Sequence, residues 1–348
     1  MVSVIRRREF VCVAASAAAF GSRAAQAEGM TASGVYPVAV PTYEVMFVAQ
    51  AKGFFKDESY DFKLIQGGSG VKTREILASR QGDFAIADIQ HVLQLNKNGR
   101  PTRALMALDQ RAPGVRFAIR KDLFDDGVDT VEKFAAWKRP DGKRAILGVS
   151  SLGGTSHLWS HYFMESKGLA DKVTWVGVGN VDTMLGSLKS KQIDLLSSAI
   201  SVVSEAEKNG WGKVIYSPSD ENTWNAVIGG SVPVNANFCL AATIEKEPGK
   251  VQAFTNAAWR AVQWIKANSP ENILGAIEPF VGSTSRTANL LEIGELKDVA
   301  DWNGLIKPEA WARGEKVWYG ELTGLKPIKM EDAVADKFLK AAHAKYPA

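Results

Sequence analysis

Between residues 35 and about 100, short apolar runs alternate with stretches whose apolar residues recur every three or four positions. Apolar runs of four to eight residues that stop at glycine predict strands, and the three-to-four spacing predicts helices. The pattern therefore predicts three strand–helix pairs, with VYPVAV (35–40), FKLIQ (62–66) and FAIAD (84–88) as the strands. A second copy opens at KFAAWKRPDGKRAILGVS and runs to KVIYSP (213–218). LASRQGD (77–83) and LKSKQID (188–194) stand 111 positions apart. The same offset sets FKLIQGG (62–68) opposite VTWVGVG (173–179), FAIAD opposite LLSSA (195–199), and VYPVAV opposite ILGVSS (146–151). KGF (52–54) meets KGL (167–169) once four residues are inserted. Leu77 and Leu188 are expected on core faces of helices, with Gln-Gly-Asp and Gln-Ile-Asp as turns into the next strand. Common ancestry or shared βα chemistry gives the same result: two similar α/β lobes.

Two further strands connect the copies. GVRFAIRKDL (114–123) is expected to leave the first lobe, and IGGSVPVNANFCLAATIEK (228–246) to return to it. After that the chain turns helical, and Val251, Phe254, Ala258, Ala261, Val262 and Ile265 form one apolar helix face. The expected division is residues 1–27 as a leader, 28–122 as the first part of lobe 1, 123–227 as lobe 2, and 228–348 completing lobe 1. Two crossings between lobes are what a hinged clamp requires.

The leader changes the charge picture. Arg7-Arg8-Glu9-Phe10-Val11, the apolar stretch VCVAASAAAF and Ala25-Gln26-Ala27 give the three regions of a twin-arginine export signal, with cleavage near Ala27. Ten apolar residues are too few to span a bilayer. Removing four arginines and one glutamate takes the formal +4 of the 348-residue chain to about +1. No basic patch with interleaved aromatics remains, so nucleic acid is not an expected partner. Cys12 leaves with the leader, and Cys239 alone in a strand-like setting (NFCLAAT) cannot form an internal disulfide.

GFFKDESYDFKLIQGGSG with LASRQGDFAIAD, then KRAILGVSSLGGTSHLWSHYFMESKGL, then LGSLKSKQIDLLSSA follow a familiar order. Over roughly residues 35 to 270 the chain resembles the nitrate/taurine/sulfonate-type substrate-binding proteins of ABC importers. The resemblance implies a type II periplasmic-binding-protein fold: two similar α/β lobes, a two-strand hinge, and a helical C-terminal extension on the first lobe. It also implies a monomer that carries a small molecule to a membrane permease, needs no cofactor or metal, and works in the periplasm.

Catalytic motifs come close without being complete. GGSGVKT (67–73) has Val71 where a phosphate-binding loop needs its Lys after Gly. His157 and His161 share a helix face, yet Leu158 stands where a zinc protease has Glu. No G-x-S-x-G elbow occurs. Binding features are stronger, because ligands of open α/β sheets sit beyond the carboxyl ends of strands. Those ends supply Thr42 and Tyr43, Gly68, Asp88-Ile89-Gln90, Asn180 and Ile200. The richest stretch is SLGGTSH (151–157), where Gly153, Gly154, Thr155 and Ser156 open a helix. A helix start presents free N–H groups and partial positive charge, which suits either an anion or a simple cap. Asp88 could cap the next helix or meet a ligand amine. Tyr43 and Trp224 could wall the ligand or pack in the core, and Arg111 could pair with an acidic group or stay solvated.

The expected function is thus a solute-binding protein, not an enzyme, for a sulfonate- or carboxylate-like ligand. One rival is an enzyme of the pyrimidine-synthase type on the same fold, for which the expected cysteine-rich motif is missing. Another is a clamp that serves a membrane receptor as a sensor.

Overall fold

The computed structural model describes residues 30–320 and 322–347, so the export signal, Cys12 and the Ala27 cleavage site lie outside the described residues. The first sheet is built from β1 (Met30–Tyr36), β2 (Tyr60–Gln66), β3 (Phe84–Asp88) and β4 (Thr102–Ala107). The second is built from β5 (Arg116–Arg120), β6 (Ile146–Val149), β7 (Thr174–Gly177), β8 (Leu195–Ser198) and β9 (Gly212–Tyr216). One later strand, β10 (Asn235–Leu240), returns to the first sheet. The sheet orders are β2-β1-β3-β10-β4 and β7-β6-β8-β5-β9. Each sheet receives one antiparallel strand from the far side of a crossing: β10 between β3 and β4, and β5 between β8 and β9.

The helices of the first sheet are α1 (Glu44–Ala51), α2 (Phe54–Asp57), α3 (Gly70–Ala78) and α4 (Gln90–Lys97). Those of the second are α5 (Lys121–Asp125), α6 (Val131–Ala136), α7 (Thr155–Glu165), α8 (Val181–Lys189), α9 (Ile200–Lys208) and α10 (Glu221–Val227). The C-terminal set is α11 (Ala241–Lys246), α12 (Pro248–Ala267), α13 (Pro270–Ile277), α14 (Arg286–Val299), α15 (Pro308–Trp318) and α16 (Lys337–Lys345). Among the described residues, no helix is long and apolar enough to cross a membrane.

The repeat has a physical basis. Leu77 and Leu188 are both fully buried under their sheets. Arg80 and Lys191, also 111 apart, both turn the chain with positive φ, at 61° and 62°. Gly68 and Gly179 pair in the same way at 87° and 89°, a region glycine enters without steric cost. The first strand departs from the offset. Tyr36 pairs with Gln66 and Val149 with Gly177, so β1 and β6 are related by 113 residues and not 111. A slip of two preserves which side chains face the core, because strand side chains alternate with period two. The strand expected at 35–40 accordingly starts at Met30 and ends at Tyr36.

One expected boundary moves. The strand at 114–123 was expected to belong to lobe 1, but β5 pairs with β8 and β9, so the first crossing precedes it, at residues 108–115. The second crossing is residues 228–234, ahead of β10. Asp109 of the first crossing ties the two together, accepting the N–H groups of Val234 and Asn235 (2.9 Å each) and the Asn235 amide (2.6 Å). The C-terminal helices also reach past the first lobe. The expected apolar face of α12 is buried against it, with Phe254 stacked on Phe84 at 3.9 Å, each such side chain stabilising by roughly 1.5–3 kcal/mol. Beyond it, α14 packs on α9 of the second lobe: the Ser285 N–H donates to Glu205 (2.8 Å), and Arg116 of β5 pairs with Glu295.

Candidate functional site

The lobes meet across the strand ends. There the structure encloses a cavity of about 50 Å³ to which both lobes contribute. Pro37, Val38 and Val40 follow β1, and Thr42 and Tyr43 form the turn into α1. Gly70 opens α3, Gly114 comes from the first crossing, and Asn235 is the first residue of β10. From the second lobe come Ser150 after β6, Thr155 and Ser156 at the start of α7, Met184 of α8, Ser198 at the end of β8 and Ala199 after it. No charged side chain lines this cavity. Its polarity is hydroxyl, amide and backbone.

The α7 end is the most open to a ligand. Among the described residues, the backbone N–H groups of Thr155 and Ser156 meet no protein acceptor, while Leu158 begins the helical ladder to Gly154. The Ser156 hydroxyl is used locally, receiving the Ser150 N–H at 3.2 Å and lying 3.1 Å from the Ser150 hydroxyl. Burial, and then the nearby carboxyls of Glu292, Asp88 and Asp109, push the Tyr43 phenol well above its usual range, so it is a neutral hydroxyl.

Of the expected site residues, the structure brings Thr42, Tyr43, Thr155 and Ser156 to the cavity. Gly154 is the residue before α7 and Gly153 precedes it; neither lines the cavity. The Gly153 carbonyl accepts the Gln90 amide across the lobes at 3.3 Å, and its N–H donates to His157 Nδ1 at 3.0 Å. Asp88 is fully buried and does not face the ligand space. Its Oδ1 accepts the Gln90 N–H (2.8 Å) and its Oδ2 the Trp159 indole N–H of the other lobe (2.7 Å). Burial pushes its carboxyl up to about 7, against those two bonds. Ile89 is core.

Trp224 is also core. It is fully buried beside Trp159 (5.1 Å between rings), with its N–H on the Gly230 carbonyl. Asn180 is the cap of α8, accepting the Thr183 N–H, and Gly68 forms the turn before the Ser69 cap of α3. Ile200 and Arg111 face a different groove under α14, where Arg111 reaches the Asp298 carbonyl (3.3 Å) and Glu221 (3.7 Å). The paired histidines gather no third ligand: among the described residues, no group of three or more metal-ligating side chains occurs. His157 is instead held neutral, pushed down to about 4 by burial and then by His161.

Sequence reasoning missed Glu292. It lies on α14 with no exposure, and its Oε1 accepts both the N–H and the hydroxyl of Thr42 at 2.7 Å each. Its Oε2 accepts the Ser201 N–H of the second lobe, also at 2.7 Å. Burial raises this carboxyl, and its hydrogen bonds with Ser201 and Thr42 lower it. No local motif marks it, because its partners lie 250 and 91 residues away.

Similarity to known proteins follows the same outline. YtlA of Bacillus subtilis is 25% identical over 242 residues, which cover 68% of this chain and 66% of YtlA, just under two thirds of its length. A solved structure from Bordetella bronchiseptica superposes with a TM-score of 0.77 at 25% identity, covering 91% of this chain and 98% of that one. The ligand-binding component of an ABC-type import system from Staphylococcus aureus superposes at 0.70 with 14% identity, over 90% and 99% of the two chains. The profile described as NMT1/THI5 like matches residues 41–273, the span that holds both sheets' parallel strands after β1 and most of the cavity. The chain belongs to the NMT1/THI5-like family and has the two-lobed periplasmic-binding-protein fold.

Proposed function

We propose that this protein is the solute-binding component of an ABC importer, exported by its twin-arginine leader and working as a monomer in the periplasm. The two crossings act as a hinge, and the lobes close on one small solute that is handed to a membrane permease. One observation carries this: strand ends and helix starts of both lobes converge on a shared cavity with no charged or nucleophilic catalytic set. The S. aureus relative, named as an ABC import component, supports the same role. Fold alone does not decide chemistry, but Cys239 is fully buried and its thiol is pushed far up by burial, so it offers no thiolate.

The solute's polar head is sulfonate- or carboxylate-like and sits at the start of α7. There the free N–H groups of Thr155 and Ser156, with the helix dipole, replace the water such a group loses. The apolar remainder lies along Val38, Val40 and Met184. A thermal-shift screen of the mature protein against sulfonates, small carboxylates, nitrate and pyrimidines tests the role. A dose-dependent rise in melting temperature for one class is expected; no shift from any small solute would overturn it.

A further inference from the structure

We propose that Glu292 is a specificity-determining residue that fills the second anion-receiving end of the cleft, so that the site accepts a solute with one anionic head and rejects one with two. This rests on the solute-binding reading above. Three donors converge on its carboxylate: the Thr42 N–H and hydroxyl from the lobe 1 turn into α1, and the Ser201 N–H from the start of α9 in lobe 2. No lysine or arginine pairs with it among the described residues. It is therefore held by backbone and hydroxyl donors alone, the same kind of group that would hold a ligand anion.

Its position makes it a neighbour of the solute without touching it. Thr42 itself lines the cavity, and Ser201 stands two residues beyond the lining Ala199. The helix starts that Glu292 occupies are thus withdrawn from the ligand, which leaves α7 as the free one. A second ligand anion reaching towards Thr42 would find its N–H and hydroxyl already taken by a buried carboxyl oxygen, with no donor left to replace the water it loses.

The test compares propane-1-sulfonate with propane-1,3-disulfonate, and butyrate with glutarate, by calorimetry on the mature protein and on Glu292→Gln. The wild type is expected to bind the monoanion of each effective pair at least tenfold more tightly than the dianion. Glu292→Gln should shrink that ratio to about threefold or less. The ratio separates selectivity from a merely structural role, since partial loss of fold weakens both ligands alike. Glu292→Met serves if the Gln variant does not fold. An unchanged ratio in a folded variant, or equal binding by the wild type, would overturn the assignment while leaving the anionic-head reading intact. Binding of neither pair by the wild type would overturn both.

Discussion

Trp159 of the second lobe donates its indole N–H to the Asp88 carboxylate of the first, 2.7 Å away and out of contact with water. The bond closes the back of the cleft, and the Gln90 amide reaches the Gly153 carbonyl beside it. Asp88, which the sequence left open between capping the next helix and meeting a ligand amine, holds the first N–H of α4 and also latches the two lobes.

Trp159→Phe removes that donor and leaves Asp88 with only the Gln90 N–H. The expected loss is about 1–3 kcal/mol of stability, the cost of an under-satisfied buried polar group, measured as a lower urea midpoint. Trp224→Phe is the control, because its lost bond, to Gly230, does not join Asp88. Solute affinity should fall for Trp159→Phe and hold within about threefold for Trp224→Phe, roughly 0.65 kcal/mol on the usual scale. Equal affinity losses would mean that the latch plays no part in closure.

Thr155 and Ser156 should separate. Thr155 lines the cavity and its hydroxyl meets no protein partner among the described residues, so Thr155→Ala should weaken solute binding with little change in melting temperature. Ser156→Ala removes the acceptor of the Ser150 N–H, so stability should drop by about 1 kcal/mol. Melting curves and titrations on both single variants decide; the reverse assignment of effects contradicts the site.

His91 sets an acid limb. Burial, and then Arg74, push its ring down to about 3, so the folded protein holds it neutral. The unfolded chain takes up the proton near pH 6.5, and each unit of difference is worth about 1.4 kcal/mol. This contribution is therefore intact above pH 6.5 and is lost progressively as pH falls towards 3, with His157 adding in the same direction down to about 4. Urea titrations between pH 7 and 5 should show His91→Gln losing less stability than the wild type as pH falls, the buried carboxyls of Asp88 and Asp109, pushed up to about 7 and 8, acting in the opposite direction equally in both proteins. Parallel curves would contradict the assignment.

Asp83 and Asp194 end the two seven-residue motifs and do the same job unequally. Asp83 accepts the Ser33 N–H (2.8 Å) and Asp194 the Ile146 N–H (2.9 Å), pinning the equivalent strands β1 and β6. Asp194 is fully buried and also pairs with Arg120 (2.7 Å) and Arg139 (3.0 Å), whereas Asp83 is partly exposed and meets Lys250 at 3.3 Å. Removing one partner of a buried ion pair costs about 3–5 kcal/mol, so Asp194→Ala should be far more damaging than Asp83→Ala. Equal losses in urea denaturation would refute that ranking.

That pair also shows what the sequence could disclose. The duplicated turns recur because each βα unit needs the same helix end and the same strand-pinning carboxylate, and such local needs leave local motifs. The two-residue slip of β1 against β6 was invisible, since strand alternation tolerates it. Strand-end reasoning reached Thr42, Tyr43, Thr155 and Ser156, but could not tell which strand-end side chains turn inward. Asp88 and Trp224 went to the core because each found a partner from distant sequence, Trp159 and Gly230. Gly114 lines the cavity from the first crossing and Asn235 from the start of β10, just after the second, where the chain's path depends on both lobes at once. Glu292 was hidden for the same reason, in helices that carry no family pattern.

The central claim is that the two lobes enclose one small solute. Its most direct test is mass spectrometry of the small molecules released from the mature wild-type protein after exposure to periplasmic extract. Thr155→Trp, which fills the cavity from the start of α7, is carried alongside. The prediction is one anionic solute near one equivalent per chain from the wild type and none from the variant. No stoichiometric solute from the wild type, or the same solute in equal amount from both, would contradict the account.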